Sequence, residues 1–218
     1  MPVLPPLDAG VLIVAQPEHR PSPLRVTKDA ASLLLALSDS LAQMLGERFE
    51  ETSAHTERVV HLARQMAGLL AFDEVRLEAL LWGARLHDIG KLAVPPEVLH
   101  KIGPLSHCEW RAMRAHVEAG QAIAESLGML PWSSLCLLAQ HHECWDGSGY
   151  PAGLRGREIC LEARIFAYCD VYDALIYARS YKAAWSQEQA LSEIRTQAGR
   201  HFDPELLDVF LRVVAPAC

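Results

Sequence analysis

LEALLWGARLHDIGK, residues 77–91, reads as a strongly apolar helix that ends on an imidazole and a carboxylate side by side, His87-Asp88. Asp73 stands ahead of it as an N-cap, and the pattern predicts a helix from about Val75 to His87. A helix this apolar is buried. A carboxylate at its end is costly in a protein interior unless it is paired. The partners must come from other segments, and the rest of the chain is read for them.

Upstream, helical periodicity sets in at about Thr27, with Leu33, Leu34, Leu37, Leu41 and Leu45 at three- and four-residue spacing. A second helix is expected from Arg48 to Leu70, with Val59, Leu62, Ala63, Met66 and Leu69 on one face. Residues 1–26 hold six of the thirteen prolines and read as a short, irregular, extended lead-in. Downstream, Pro95-Pro96 opens a short helix that Gly103-Pro104 ends. Ser106-x-x-Glu109 is a capping box for a long helix to Leu127. Pro131 starts the next helix, which ends near Glu143; residues 144–160 are irregular; a helix follows from Leu161 to Ala178. Ser186-x-x-Gln189 caps another, and Asp203-Pro204 opens the last. No stretch beyond residue 30 alternates as a half-buried strand does, so the expected fold class is all-α. The chain divides into the lead-in 1–26, an N-terminal helix 27–47 that packs on the domain or serves a homodimer, and one helical domain, 48–218.

The totals narrow the function. At 218 residues and 50% hydrophobic, the chain can build one sizeable core. A net charge of −7 makes it a poor partner for nucleic acid polymers or anionic membranes. Its six cysteines include no C-x-x-C pair, which argues against a zinc knuckle or a thioredoxin-like site. The apolar run Gly10–Ala15 is too short for a signal segment, and no stretch nears the ~20 apolar residues of a membrane span. The expected location is the cytoplasm, with reduced thiols.

Further polar residues interrupt apolar helical faces. Glu51 and His55 lie four apart on one face. His116 sits inside the helix after Ser106, His141-His142 end the next, and Asp170 and Asp173 lie in IFAYCDVYDALI (165–176). Imidazoles and carboxylates from five helices form a ligand set that suits Fe, Mn, Ni, Co or Zn better than Ca. Asp88 can bridge two ions, and the surplus of donors points to two or three. Adjacent helical side chains diverge by about 100°, so His141 and His142 can reach different ions, or one ion from two sides.

HTERV (55–59), HDIGK (87–91), HHECWDGSGYP (141–151), LEARIFAYCDVYDAL (161–175) and HFDPEL (201–206) together resemble the HD-GYP family of the HD phosphohydrolase superfamily, over about residues 48–210. The resemblance implies an HD-domain helical bundle that hydrolyses a cyclic dinucleotide, usually cyclic di-GMP, to pGpG and often on to GMP. It implies a di- or trinuclear metal cluster, often of iron or manganese. Carried over by motif, the metal ligands are His55, His87, Asp88, His116, His141, His142 and Asp170. Glu51 matches the extra ligand of trinuclear members, which favours three ions over two. Lys91 would contact the scissile phosphate or its attacking hydroxide, and Tyr150 the substrate. Arg179 and Lys182 fall on the phosphate-holding R-P-Y-R/K element, here RSYK. The chain departs from the family at Ser180, at His100 and Ile102 in LHKIGPLS (99–106), and at Cys160.

The chemistry this implies is attack by a metal-bridging hydroxide, with Lys91 offsetting charge on phosphorus. A proton for the departing 3′ oxygen would come from a metal-bound water or from Asp173. Gly147 and Gly149 let the loop turn tightly, and Asp146 holds either the loop or an imidazole. Alternatives in view are 3′3′-cyclic GMP-AMP as substrate, and a catalytically weak adaptor that binds cyclic di-GMP. A GGDEF-type cyclase is a partner such an adaptor would meet. Residues 1–47 are too few for a receiver domain of ~120 residues.

Overall fold

The described residues of the computed structural model are 53–178 and 183–214, together with Ser32, Leu33, Leu35, Ala36 and Ser40, which are helical. Among them the chain forms helices and no strand; isolated bridges pair Asp146 with Arg155 and Ala198 with Phe202. Helix α1 is Ser53–Leu69, α2 Glu74–Leu86, α3 Pro96–Leu99, α4 His107–Arg114 and α5 His116–Leu127. Helix α6 is Trp132–Gln140, α7 Leu161–Ile176, α8 Gln187–Thr196 and α9 Leu207–Val214. The all-α bundle expected from the periodicity is the fold.

The caps are where the sequence put them. Asp73 accepts a hydrogen bond from the Arg76 N–H at 2.7 Å and starts α2. Ser106 and Glu109 form a reciprocal capping box on α4, as Ser186 and Gln189 do on α8. The helix expected to run unbroken from Ser106 to Leu127 is in fact two, divided at Ala115. The His116 Nδ1 takes the Met113 carbonyl at 2.7 Å, which a continuous helix would offer to residue 117. Asp203-Pro204 opens the last helix through a 3-10 turn, Pro204–Leu206.

Helix α1 packs on α2, α7 and α9, while α6 lies between α2, α5 and α7. Val59, Ala63 and Met66 of α1 are fully buried against Leu80 of α2 and Phe166 and Tyr168 of α7. Leu69, expected on the same face, is 43% exposed at the helix end. A second cluster, with Trp82, Leu86, Ile89, Ala124 and Leu138, joins α2, α5 and α6. Ile89–Ala93 forms a 3-10 turn laid on α5. Gly90 makes that approach possible: a Cβ there would run into the His116 carbonyl oxygen and the Gly120 nitrogen, both backbone. Of the leucine stripe expected in 27–47, Leu33 is described and is 59% exposed; Leu34, Leu37, Leu41 and Leu45, like the lead-in 1–26, lie outside the described residues.

Candidate metal centre

Three histidines are placed at helix ends. His87 caps the C-terminus of α2, His116 opens α5, and His141 caps the C-terminus of α6. At each, Nδ1 meets a carbonyl three residues earlier: His87 with Ala84 at 2.9 Å, His116 with Met113 at 2.7 Å, His141 with Leu138 at 2.9 Å. A carbonyl only accepts, so Nδ1 carries the proton and Nε2 presents its lone pair. His55, on α1, has the same arrangement with a carboxylate: its Nδ1 lies 2.7 Å from Asp173 Oδ2.

The free nitrogens converge. The donor atoms of Asp88, His116, His141 and His142 lie within 4.8 Å of one another, and so do those of His55, His87 and Asp170. The Asp88 carboxylate touches both sets, Oδ2 at 2.9 Å from His87 Nε2 and Oδ1 at 3.4 Å from His116 Nε2. His116 Nε2 and His141 Nε2 are 3.3 Å apart. With both protons on Nδ1, two lone pairs face each other, and a cation satisfies both. Among the described residues, His55 Nε2 and Asp88 Oδ1 are buried without a hydrogen-bond partner, an arrangement that is costly unless something binds there. The donors present therefore fit divalent metal ions, in two sets joined by one carboxylate.

Electrostatics point the same way. Burial, against the pull of Asp88, lowers the pKa of His116 below that of an ordinary imidazole. Burial and the neighbouring histidines push His141 well below it, and burial takes His142 to about 3. All three are neutral ligands near pH 7. Burial opposes the Asp88 carboxylate, but His87, Lys91 and His116 outweigh it and hold the pKa well below the usual range. Lys91 Nζ bonds Asp88 Oδ2 at 2.8 Å.

Asp173 stands behind His55 rather than at the centre. Arg58 takes both its oxygens, Nε to Oδ1 at 2.5 Å and Nη2 to Oδ2 at 2.9 Å. Burial alone would raise the Asp173 pKa, yet the bonds from Arg58 and His55 hold it below the ordinary value. It is an ionised carboxylate that orients an imidazole. Of the two expected proton sources, a metal-bound water or Asp173, this arrangement disfavours Asp173, and the reason is Arg58. That residue is three after His55 in HTERV, a spacing that shares a helix face.

The loop after His142 is built by Glu143. Its Oε1 accepts the Ala152 and Gly153 N–H groups at 2.7 and 3.1 Å, and its Oε2 the Leu154 N–H at 3.0 Å. Sequence reasoning missed this role. The available signal was a lone acid entering a glycine-rich loop whose amides need an acceptor. Gly149 has no room for a Cβ, which would meet the Cys144 nitrogen, Glu143 Cα and the His142 oxygen. Asp146 serves the loop, accepting from the Ser148 N–H at 2.9 Å. The Asp146 and Trp145 N–H groups reach back to the Arg200 and His201 carbonyls of HFDPEL and its approach. The Tyr150 ring then stacks on His142, centroids 4.7 Å apart. Among the expected site residues, Glu51, Arg179 and Lys182 lie outside the described residues.

The sequence profile of the HD domain matches residues 39–206. The chain belongs to the HD domain family. HDIGK and HHECWDGSGYP are the motifs that resemble the HD-GYP branch of that family. It is 42% identical over 173 residues to the cyclic di-GMP phosphodiesterase response regulator RpfG of Xanthomonas campestris pv. campestris, covering 79% of this chain and 46% of that protein. It is 41% identical over 173 residues to 3′3′-cGAMP-specific phosphodiesterase 2 of Vibrio cholerae serotype O1, covering 79% of this chain and 33% of that protein. The chain spans less than half the length of these relatives. The fold matches the crystal structure of the V. cholerae cyclic GMP-AMP specific phosphodiesterase V-cGAP3 with a TM-score of 0.63 at 21% identity, over 84% of this chain and 48% of that one. No helix among the described residues is long and apolar enough to cross a membrane.

Proposed function

We propose that this chain is a metal-dependent phosphodiesterase that hydrolyses cyclic di-GMP to pGpG and/or GMP. The observation that carries the reading is the pair of donor sets joined by Asp88, with His55 Nε2 and Asp88 Oδ1 buried and, among the described residues, without a hydrogen-bond partner. Relatives named for cyclic di-GMP and for 3′3′-cGAMP support the substrate class, and keep 3′3′-cGAMP as the second substrate. The imidazole and carboxylate mix suits iron or manganese. Bound ions supply a water of lowered pKa and polarise phosphoryl oxygens.

The chain's own residues do the rest. His55, His87 and Asp170 hold one side of the centre; His116, His141 and His142 hold the other; Asp88 spans them. Asp173 and Arg58 fix the His55 ring, a positioning role. Lys91, held beside Asp88, offsets the negative charge that develops on the phosphoryl group. Tyr150, at the mouth of the centre, packs against the substrate. Glu51 is proposed as the ligand of a third ion, and Arg179 and Lys182 as residues that hold substrate phosphate.

The test is anaerobic, reducing reconstitution with Fe(II) or Mn(II), an ion count per chain, and turnover of both dinucleotides. Two or more ions with conversion of cyclic di-GMP to pGpG is the expected result. Protein that binds the ions and leaves both dinucleotides intact refutes the enzyme reading and leaves a binding adaptor. Loss of one ion per chain in Glu51→Ala supports the third site; an unchanged count removes it.

A further inference from the structure

Helix α4 buries none of its residues, and its C-cap, Ala115, adjoins His116. Trp110 is 48% exposed on it. Arg114, one turn on, shares its face. The Arg114 guanidinium lies 4.6 Å from the centroid of the Tyr150 ring and 6.0 Å from that of Trp110. Tyr150 in turn stacks on His142, with 22° between the ring planes. A run of ring and guanidinium contacts therefore links the metal centre to an exposed indole: His142, Tyr150, Arg114, Trp110.

Two properties of that run point to a ligand. The guanidinium contacts aromatic faces, and among the described residues no hydrogen-bond or ion-pair partner takes its N–H edge. Trp110, 48% exposed, lies one turn before Arg114 on the same helix. An Arg fork pairs in bidentate fashion with the O6 and N7 acceptors of guanine; adenine shows a donor, its N6 amine, where guanine has O6. An indole face stacks on any base. We propose that Trp110 and Arg114 form a guanine-reading subsite: Trp110 stacks on the base, and Arg114 selects guanine over adenine. The inference rests on the cyclic-dinucleotide reading above and assigns the residues that choose the base.

The experiment is calorimetric binding of GMP and AMP to the metal-loaded full chain, wild type against Trp110→Ala, Arg114→Ala and Arg114→Lys. Ion content and the unfolding midpoint are measured on the same samples. The wild type is expected to bind GMP about tenfold or more tightly than AMP. Arg114→Ala and Arg114→Lys are expected to abolish the preference, since lysine keeps the charge and loses the fork. Trp110→Ala is expected to weaken both nucleotides about tenfold and keep the preference. Wild type without a preference overturns the proposal. So does an Arg114→Ala protein that weakens GMP and AMP alike, which is the mark of a phosphate clamp, or one that loses its ions, which is the mark of a structural role. Wild-type turnover of cyclic di-GMP reports separately on the enzyme reading, because nucleotide preference is read without it.

Discussion

Replacing Glu143 tests whether one carboxylate holds the substrate loop against the metal centre. Glu143 is 3% exposed, and its carboxylate accepts three backbone N–H groups, from Ala152, Gly153 and Leu154. A hydrogen bond to a charged acceptor contributes about 1.5–3 kcal/mol. Three at the lower figure give roughly 4.5 kcal/mol. Two effects reduce this. Burying the carboxylate has a cost, seen in a pKa raised above the ordinary glutamate value despite the three bonds. Ala152 is also exposed, so water recovers part of what its N–H loses. Glu143→Ala is therefore expected to destabilise the fold by about 2–4 kcal/mol. Glu143→Gln keeps an acceptor for Ala152 and Gly153 and turns an N–H donor toward the Leu154 N–H, for about 1–2 kcal/mol. Urea unfolding gives the order wild type, Gln, Ala. Hydrogen exchange at residues 152–154 should rise in the same order, and KM for the dinucleotide should rise with Tyr150 set loose. Wild-type stability with unchanged exchange protection in Glu143→Ala would show that the loop is held by its own turns and refute the argument.

Three further outcomes follow from particular contacts. Gly90→Ala places a methyl against the backbone of α5, at the His116 oxygen and Gly120 nitrogen. It should cost about 3 kcal/mol or more in urea unfolding, and a loss within about 0.5 kcal/mol would contradict the packing. Asp173→Asn removes the charge that Arg58 and His55 share; metal affinity, read by competition with a chelator, should fall about 10- to 100-fold with the fold intact, and unchanged affinity counts against the positioning role. Glu109 is held at about 2 by Lys101 and by the Ser106 cap. A depressed folded pKa stabilises above the ordinary glutamate pKa and is lost as pH falls toward about 2. Glu109→Gln should therefore flatten the acid limb of the stability profile between those values, and an unaltered limb would refute the assignment.

Much of the bundle was legible because its signals are local. Asp73, Ser106 and Ser186 cap the helices they precede, since a side-chain oxygen two or three residues from an N–H needs nothing distant. The break at Ala115 was not legible: it depends on the His116 ring taking a carbonyl of the preceding helix while its other nitrogen turns to the centre. Arg58 and Glu143 were missed for a similar reason. Each is an ordinary charged residue in sequence, and each owes its role to a partner more than eight residues away. Arg114 reads as a surface cation until Tyr150 is folded beneath it.

By itself the sequence determined the helices, the residue types at their ends and the motifs that name the family. Those follow from spacing, which sets where a side chain points within one element. Only the tertiary structure decided which nitrogen of His55, His87, His116 and His141 faces inward, how six donors divide into two sets across Asp88, and that Asp173 serves His55 from behind. Such relations hold between elements, and they depend on how helices pack, down to the bare backbone contact that Gly90 permits.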